Sequence, residues 1–556
     1  MAAMELETGK VDEALYSRQL YVLGREGQSK MASSTVLVCG LTGTGAELAK
    51  NVILAGVKAV TLYDPTPVTH CNLGGNPYAR LEDVGKPRAD CCAPRLAELN
   101  PYVTVSVMKN GNAGEAMGSL HSTDVDEWSA RVRGYRCVAI CDAVSDDELK
   151  AIDDACRREN VCLVACESRG VCTSLFCDFG DDWTVTDADG EPGAACLVAS
   201  ITQTNPALIT VVDEQRHGLE VGDIVSLTSC VGCDALNERE LKVLRVCSPY
   251  SYEVDADASS TTPYVSSGYA QHKKGGKVIQ HKPYGSQFDD DAFLRCDFAK
   301  FERPPTLHNA FTALRKWRSQ HNGAFPSEKD VDAVVAFFEK TPEDKSEDVC
   351  RSLAVTSAGD LSPMAAFLGG VAGQEVLKAC TGKFAPVSQY LYHDCLEALP
   401  ESADRTPKDD KNDSVRVVFG QDMVSKLAKL NYFLVGAGAI GCEVLKNWSL
   451  IGLGEKGAGG KILVTDMDRI EKSNLSRQLL FRSSDIGHAK STRAALAAQQ
   501  LNPSIHVEGI EKRVGADSED IFDDKFWSSL DGVCTALDNV DARLYVDSKC
   551  LFHHKP

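Results

Sequence analysis

The chain has 556 residues, of which 43% are hydrophobic and 25% charged, with 44 Gly and 21 Pro. At roughly 100–200 residues per domain this is three to five globular domains, and the balance excludes wholesale disorder and a collagen-like repeat. The net charge of −20 repels a polyanion on average, and no basic run exceeds Lys273-Lys274-Gly275-Gly276-Lys277, a solvated turn, so no nucleic-acid partner is expected.

There are 22 cysteines. No apolar segment follows the opening Met1-Ala2-Ala3-Met4, and no run of 18 apolar residues occurs, so neither a secretory signal nor a membrane span is expected. The expected compartment is therefore reducing and the thiols free. Cys230-Val231-Gly232-Cys233 is the one C-x-x-C; without a second pair at zinc spacing it reads as loop thiols.

In chain order, Tyr16-Ser17-Arg18 opens a segment closing on Gly24. An apolar run, Thr35–Cys39, enters a glycine turn at Gly40, Gly43 and Gly45. Helical spacing follows to Leu54, then a glycine stop at Gly56 and a second apolar run ending in Asp64. Residues 178–275 are rich in Val, Thr, Gly and Asp with short alternating runs, which predicts a small all-β insertion. Residues 285–350 carry helical spacing, 355–400 return to α/β character with a small-residue helix over 365–379, and 401–413 read as a charged linker.

From Tyr432 the first pattern recurs. An apolar run reaches Gly436, Gly438 and Gly441, a helical stretch stops at Gly452, and a second run, Ile462–Val464, leads to Asp466. Asp83-Val84-Gly85 matches Asp485-Ile486-Gly487, and Leu99-Asn100-Pro101 matches Leu501-Asn502-Pro503. Register held over about 70 residues marks an internal repeat. Each copy is a strand–glycine loop–helix–strand unit, the opening of a doubly wound α/β sheet. Its glycines let a phosphate approach the helix N-terminus, and the Asp can meet ribose hydroxyls.

The copies differ where chemistry would lie. The second carries Asn474, Arg477, Gln478 and Lys490, a set that suits a triphosphate, whose charge must be held. Asp538 and Asn539 follow an apolar run, where such sheets bind ligands, and a carboxylate there can hold Mg²⁺. The first copy reads Asn72-Leu73-Gly74-Gly75-Asn76, without the Arg, and Cys141-Asp142-Ala143, keeping an Asp but losing the Asn. Alignment through Gly24 and Gly420 sets Ser414 opposite Arg18. The losses are complementary, and the sequence predicts one composite site with Arg18 reaching in from the first copy. Cys442, just after the glycine loop, reads as packing rather than nucleophile.

These segments, with Arg216-His217-Gly218-Leu219-Glu220, Asp297–Phe301 and Gln374–Cys380, closely resemble the ubiquitin-activating enzyme family. Bacterial MoeB/ThiF-like adenylating proteins share the repeated unit but not the insertions at 178–350. The resemblance implies an α/β fold of two MoeB/ThiF-like, Rossmann-like adenylation repeats. An inactive domain would occupy 1–177 and 353–400. It would be interrupted by a β-rich first catalytic-cysteine half-domain at 178–275 and a four-helix bundle at 276–352. The active domain would begin at 414.

The resemblance further implies ATP-dependent activation of ubiquitin by C-terminal adenylation, then thioester transfer to an enzyme cysteine. Asp466 would meet ribose. Asn474, Arg477, Gln478, Lys490 and Arg18 would contact the phosphates, and Asp538 would hold Mg²⁺. Gly436, Gly438, Ala439, Gly441 and Asn539 would shape the nucleotide pocket. The implied partners are ubiquitin and ubiquitin-conjugating enzymes, the implied state a monomer with an internal pseudo-dimer, and the implied location cytoplasmic and nuclear.

Two departures stand out. The family's Asn-Leu-Asn-Arg-Gln is Asn474-Leu475-Ser476-Arg477-Gln478 here, and none of the 22 cysteines matches the family nucleophile. With the chain stopping at Pro556, the expectation is a fragment that cannot form the thioester. The rival readings are an NAD-dependent oxidoreductase, a non-catalytic ubiquitin-docking module, and an activator of another ubiquitin-like protein. The first wants an acidic residue about 20 positions after the loop, whereas Asp466 lies 30 after Gly436.

Overall fold

The structure is a computed structural model and describes residues 12–108, 121–191, 193–212, 216–274, 276–287, 289–339 and 347–556. The opening Met1–Met4 and Gly275 of the lysine-rich turn lie outside the described residues.

Runs of apolar, β-branched residues bounded by glycine form parallel strands buried on both faces. In the first copy Thr35–Cys39 lies between Ala59–Tyr63 and Cys137–Ile140, with Thr104–Val107 at one edge. Beyond Cys137–Ile140 the sheet continues through Cys162–Arg169, Cys172–Asp178, Tyr390–Asp394 and Phe293–Leu294, eight strands in all. In the second copy Asn431–Val435 lies between Lys461–Thr465 and Gly532–Thr535, with Val507–Ile510 at the edge. Its strand order is that of the first copy's equivalents.

The repeat extends to individual hydrogen bonds. Asn100 donates to the Ile53 carbonyl at 2.9 Å, and Asn502 donates to the Ser449 carbonyl at 2.8 Å. Asp83 accepts from the Arg80 amide at 3.0 Å, and Asp485 from the Arg482 amide at 2.9 Å. Gly24 (φ 70) breaks the helix Glu13–Ser33 just as Gly420 (φ 86) separates the helices Asp413–Phe419 and Gln421–Lys429.

The glycine-loop helices of the two copies, Gly43–Ala55 and Ala439–Leu450, share a square of charges. Lys50 binds Glu47 at 2.7 Å and also Glu443; Lys446 binds Glu443 at 2.7 Å and also Glu47. Each residue has its counterpart at the same helical position in the other copy, which is the self-complementary pattern of a twofold contact. Glu47, Lys50 and Lys446 are buried.

Residues 182–279 with 382–385 make a separate compact unit. Six strands between Ala195 and Lys273 close into a barrel. Its alternating burial, as in Ala207–Val211, is what the sequence pattern predicted over 178–275. Cys230 and Cys233 lie, as expected, in a loop, the one that follows Ile224–Thr228, with both side chains buried against the barrel core. In 276–352 the described residues hold three helices, Arg303–Gln320, Val331–Val335 and Glu347–Thr356; residues 340–346 lie outside them. The stretch before Arg303 carries the short strands Lys277–Ile279 and Phe293–Leu294 and 3₁₀ turns rather than an α-helix.

The segment 401–413 is docked rather than a free linker. Lys411 bonds Glu455 and Asn502, each at 2.8 Å, and Asp413 already belongs to a helix, its carboxylate accepting the Lys408 and Asp409 amides. Among the described residues no helix is long and apolar enough to cross a membrane.

Candidate functional site

At the carboxyl ends of the second copy's strands lies a cleft of about 810 Å³, within the size range of small-ligand sites. Gly436 leaves the central strand at φ 104, and Gly438 precedes the helix Ala439–Leu450 with no side-chain cap. The first amides of that helix therefore lack partners and favour an anion. A Cβ at Gly438 would meet nothing within 4 Å, so the fold itself does not demand glycine there and the space is part of the cleft.

The walls carry seven basic side chains (Arg18, Arg469, Arg477, Lys490, Lys512, Arg513, Arg543) against four acidic ones (Asp466, Asp468, Glu471, Asp538). In a chain of net charge −20 this local excess selects an anionic ligand. Arg18 arrives from the N-terminal helix of the first copy. Burial, and then the neighbouring Arg18 cation, push Arg477 below the ordinary guanidinium range. Arg477 donates to the Ser473 carbonyl at 2.6 Å, and among the described residues neither arginine has a carboxylate partner. Gln478 is buried with its Oε1 unbonded.

The other predicted residues also have definite places. Lys490, the first residue of its helix, pairs with Asp468 at 2.8 Å. Asn474 is buried, and its Oδ1 accepts the Glu471 amide at 3.0 Å. Asp466 accepts the Ala437 amide at 2.7 Å and the Asp468 amide at 2.8 Å, so it clamps the glycine loop as well as lining the cleft. Asp538 is exposed in the cleft, with no bond or ion pair among the described residues. Asn539 lines the cleft while its Oδ1 caps the helix Val540–Phe552 by accepting the Ala542 amide at 3.0 Å. Ala439 lines the cleft as well.

Gly441 does not. It lies behind the loop, where an added Cβ would overlap the Gly436 carbonyl oxygen and sit 2.9 Å from its carbon. Its function is close helix–loop packing rather than ligand contact. Cys442 is fully buried with its thiol pushed up to about 12 by burial, as a packing residue should be.

The first copy's equivalent site is filled by its own side chains. Arg88 stands where Lys490 stands and bridges Asp64 at 2.9 Å and Asp142 at 2.8 Å. The Asp360 carboxylate accepts the Gly43 amide at 2.9 Å, taking the place at the helix start that a phosphate would need. A Cβ on Gly75, the counterpart of Arg477, would lie 2.5 Å from the Asp360 Cγ, and Ser414, opposite Arg18, is buried beside Gly74. Asp142 is not the counterpart of Asp538. Cys39 pairs with Ile140 and Val435 with Thr535, which sets Asp142 level with Leu537, one residue nearer the strand.

Sequence reasoning passed over Ser473, Lys512 and Arg513, which also line the cleft. Lys512 and Arg513 follow the strand Val507–Ile510 in a run with no motif to mark it. Arg88 was within reach, since extending the Asp83/Asp485 match by five residues pairs it with Lys490.

Residues 16–415 and 410–556 each match the ThiF family. The chain is 43% identical to Ubiquitin-like modifier-activating enzyme 1 of Homo sapiens over 98% of its length and 52% of that protein. To Ubiquitin-activating enzyme E1 1 of Triticum aestivum it is 41% identical, over 100% of the chain and 53% of that protein. The chain thus spans about half the length of these relatives. Among solved structures, E. coli MccB covers 30% of the chain at 16% identity and a TM-score of 0.25, too slight a likeness to bear on the site. Matched twice, once by each copy of its glycine-loop unit, the chain belongs to the ThiF family.

Proposed function

We propose that the second copy's cleft binds ATP and that the chain carries the adenylating machinery of a ubiquitin-activating enzyme. The observation that carries this reading is the convergence of Arg18 and Arg477, from different copies, in one cleft, neither of them paired with a carboxylate among the described residues. Two adjacent unneutralised guanidiniums suit a polyphosphate. Ubiquitin as the acyl substrate is supported by the names of the relatives.

In this reading the glycine loop and the first amides of the helix Ala439–Leu450 receive phosphate oxygens, and Lys490, Arg477 and Arg18 hold the remaining charge. A carboxylate oxygen of the ubiquitin C-terminus attacks the α-phosphorus. The bond from that phosphorus to the bridging oxygen breaks, and pyrophosphate leaves with the electron pair. The product is an acyl adenylate. Fixing both reactants removes much of the entropic barrier, and the cations stabilise the charge that builds on phosphorus. Asp538 would hold Mg²⁺ together with phosphate oxygens, and the ion would neutralise part of the triphosphate charge. Among the described residues no cluster of three protein ligands exists, which suits an ion held mainly by phosphates and water.

The two copies act as an internal pseudo-dimer within a monomer, joined by the Glu47–Lys50–Glu443–Lys446 square. Among the described residues no cysteine lines the cleft, so thioester formation and delivery to ubiquitin-conjugating enzymes need a thiol from elsewhere. An NAD reading is disfavoured because the basic side chains of the cleft, with Arg18 and Arg477 unpaired with any carboxylate among the described residues, supply more positive charge than a pyrophosphate bridge needs. Thermal-shift titration tests the proposal. MgATP stabilises the chain and NAD does not, and Lys490→Ala weakens MgATP binding by about tenfold, the worth of one charge-assisted contact. Equal stabilisation by NAD refutes it.

A further inference from the structure

Resting on that reading, we infer that Asp12 and Lys472 are positioning residues that hold Arg18 over the nucleotide cleft. Arg18 lies on a helix seated on the first copy. Tyr16 packs against Gly56 and accepts a hydrogen bond from Asn100 at 2.7 Å, and Gln19 donates to the Ala55 carbonyl at 2.8 Å. The residues it must face, Ser473 to Gln478, belong to the second copy. The Arg18 and Arg477 guanidiniums repel each other. That repulsion pushes apart the two elements the site needs together.

Asp12 opposes it from outside the cleft. Its carboxylate caps the helix by accepting the Leu15 amide at 3.1 Å, accepts the Tyr102 hydroxyl at 3.1 Å, and pairs with Lys472 at 2.8 Å. Lys472 opens the short turn Lys472–Asn474, immediately before Ser473 and Asn474. One carboxylate therefore ties together the start of the Arg18 helix, the first copy through Tyr102, and the turn that carries the phosphate-facing residues. Neither Asp12 nor Lys472 lines the cleft. Any effect they have on the nucleotide must pass through the elements they join.

The test is a double-mutant cycle on MgATP affinity, read with a fluorescent ATP analogue on the intact chain. Asp12→Asn keeps the helix cap, because Asn caps as well as Asp, and removes only the charge. It should weaken binding roughly 3- to 10-fold, as loss of a partly screened pair that sets a geometry would. In an Arg18→Ala background the same change should have no further effect, because Asp12 acts through Arg18. Lys472→Arg, which keeps the ion pair, should bind within about twofold of the parent chain while Lys472→Met should match Asp12→Asn, a charge dependence that a merely structural role would not require. Matching thermal denaturation of Asp12→Asn and the parent chain controls for folding. An Asp12→Asn loss of the same size with and without Arg18, or no loss at all, overturns the inference while leaving the ATP site standing. Failure of the unaltered chain to bind MgATP overturns both.

Discussion

The two glycine loops share one packing constraint, and only one of them is proposed to hold nucleotide, so one perturbation applied to each copy separates structure from function. An alanine at Gly441 puts its Cβ over the Gly436 carbonyl oxygen and 2.9 Å from the carbonyl carbon. An alanine at Gly45 does the same to Gly40, with the carbonyl carbon at 3.0 Å and the Cys141 Cβ at 2.9 Å. Each clash is against backbone, so relief means moving the helix off its loop by a distance of order 1 Å. Overpacking of this kind costs about 1–3 kcal/mol. Both Gly441→Ala and Gly45→Ala should therefore lower the urea midpoint by comparable amounts. The functional outcomes should diverge. A shift of about 1 Å in a positioning element can cost about 100-fold in a geometry-dependent step. Gly441→Ala should weaken MgATP binding by at least tenfold, because the displaced amides are the ones that face phosphate. Gly45→Ala should leave the affinity within about twofold, because its helix start already holds Asp360. Calorimetric titration of both variants reads this directly. Equal loss of affinity in the two variants, or full affinity in Gly441→Ala, refutes the reasoning.

Two other outcomes follow from the placement of charges. Lys446→Met strips one partner from Glu47 and should cost about 3 kcal/mol, the low end for a broken buried pair because Lys50 remains. Burial pulls Glu47 up, but Lys446 and Lys50 outweigh it and hold the carboxyl below the ordinary glutamate range. That stabilisation is complete above the ordinary value near 4.5 and fades as pH falls towards the depressed one of about 2, so in urea titrations the deficit of Lys446→Met should hold from pH 7 down to about 4.5 and shrink below it; a deficit that stays constant below that value contradicts it. Salt is the second lever. With Arg18, Arg477 and Lys490 meeting phosphate, MgATP affinity should fall several-fold between about 50 and 300 mM NaCl, and the slope should flatten in Arg477→Ala. Equal slopes would remove Arg477 from the phosphate contacts.

Much of the fold was legible because its signals are local. The apolar runs, the glycine loops and the matched Asp-x-Gly and Leu-Asn-Pro segments lie close along the chain and recur. Strand order then follows from the duplication. Arg18 could be placed in the cleft from the sequence because its loss at Ser414 mirrors the loss of Arg477 at Gly75. What escaped was side-chain partnership over long separations. Asp360 sits more than 300 positions from the Gly43 amide it occupies, and Lys411 reaches Asn502 across 91 positions. Gly441 was misassigned because a loop glycine needed for ligand approach and one needed for helix packing look alike in sequence; only the carbonyl beneath it distinguishes them. Asp142 was matched to Asp538 because a one-residue offset leaves the motif readable while moving the carboxylate.

The division of labour between the copies is the central claim, and photoaffinity labelling with an azido-ATP followed by peptide mapping tests it most directly. The account predicts a single labelled region per chain, on peptides from 461–490 and 512–543, competed away by ATP and much reduced by Arg18→Ala. Label on the first copy's loop and helix, 40–64 or 72–88, at comparable yield would show that Asp360 and Arg88 do not close that site, and would contradict the account.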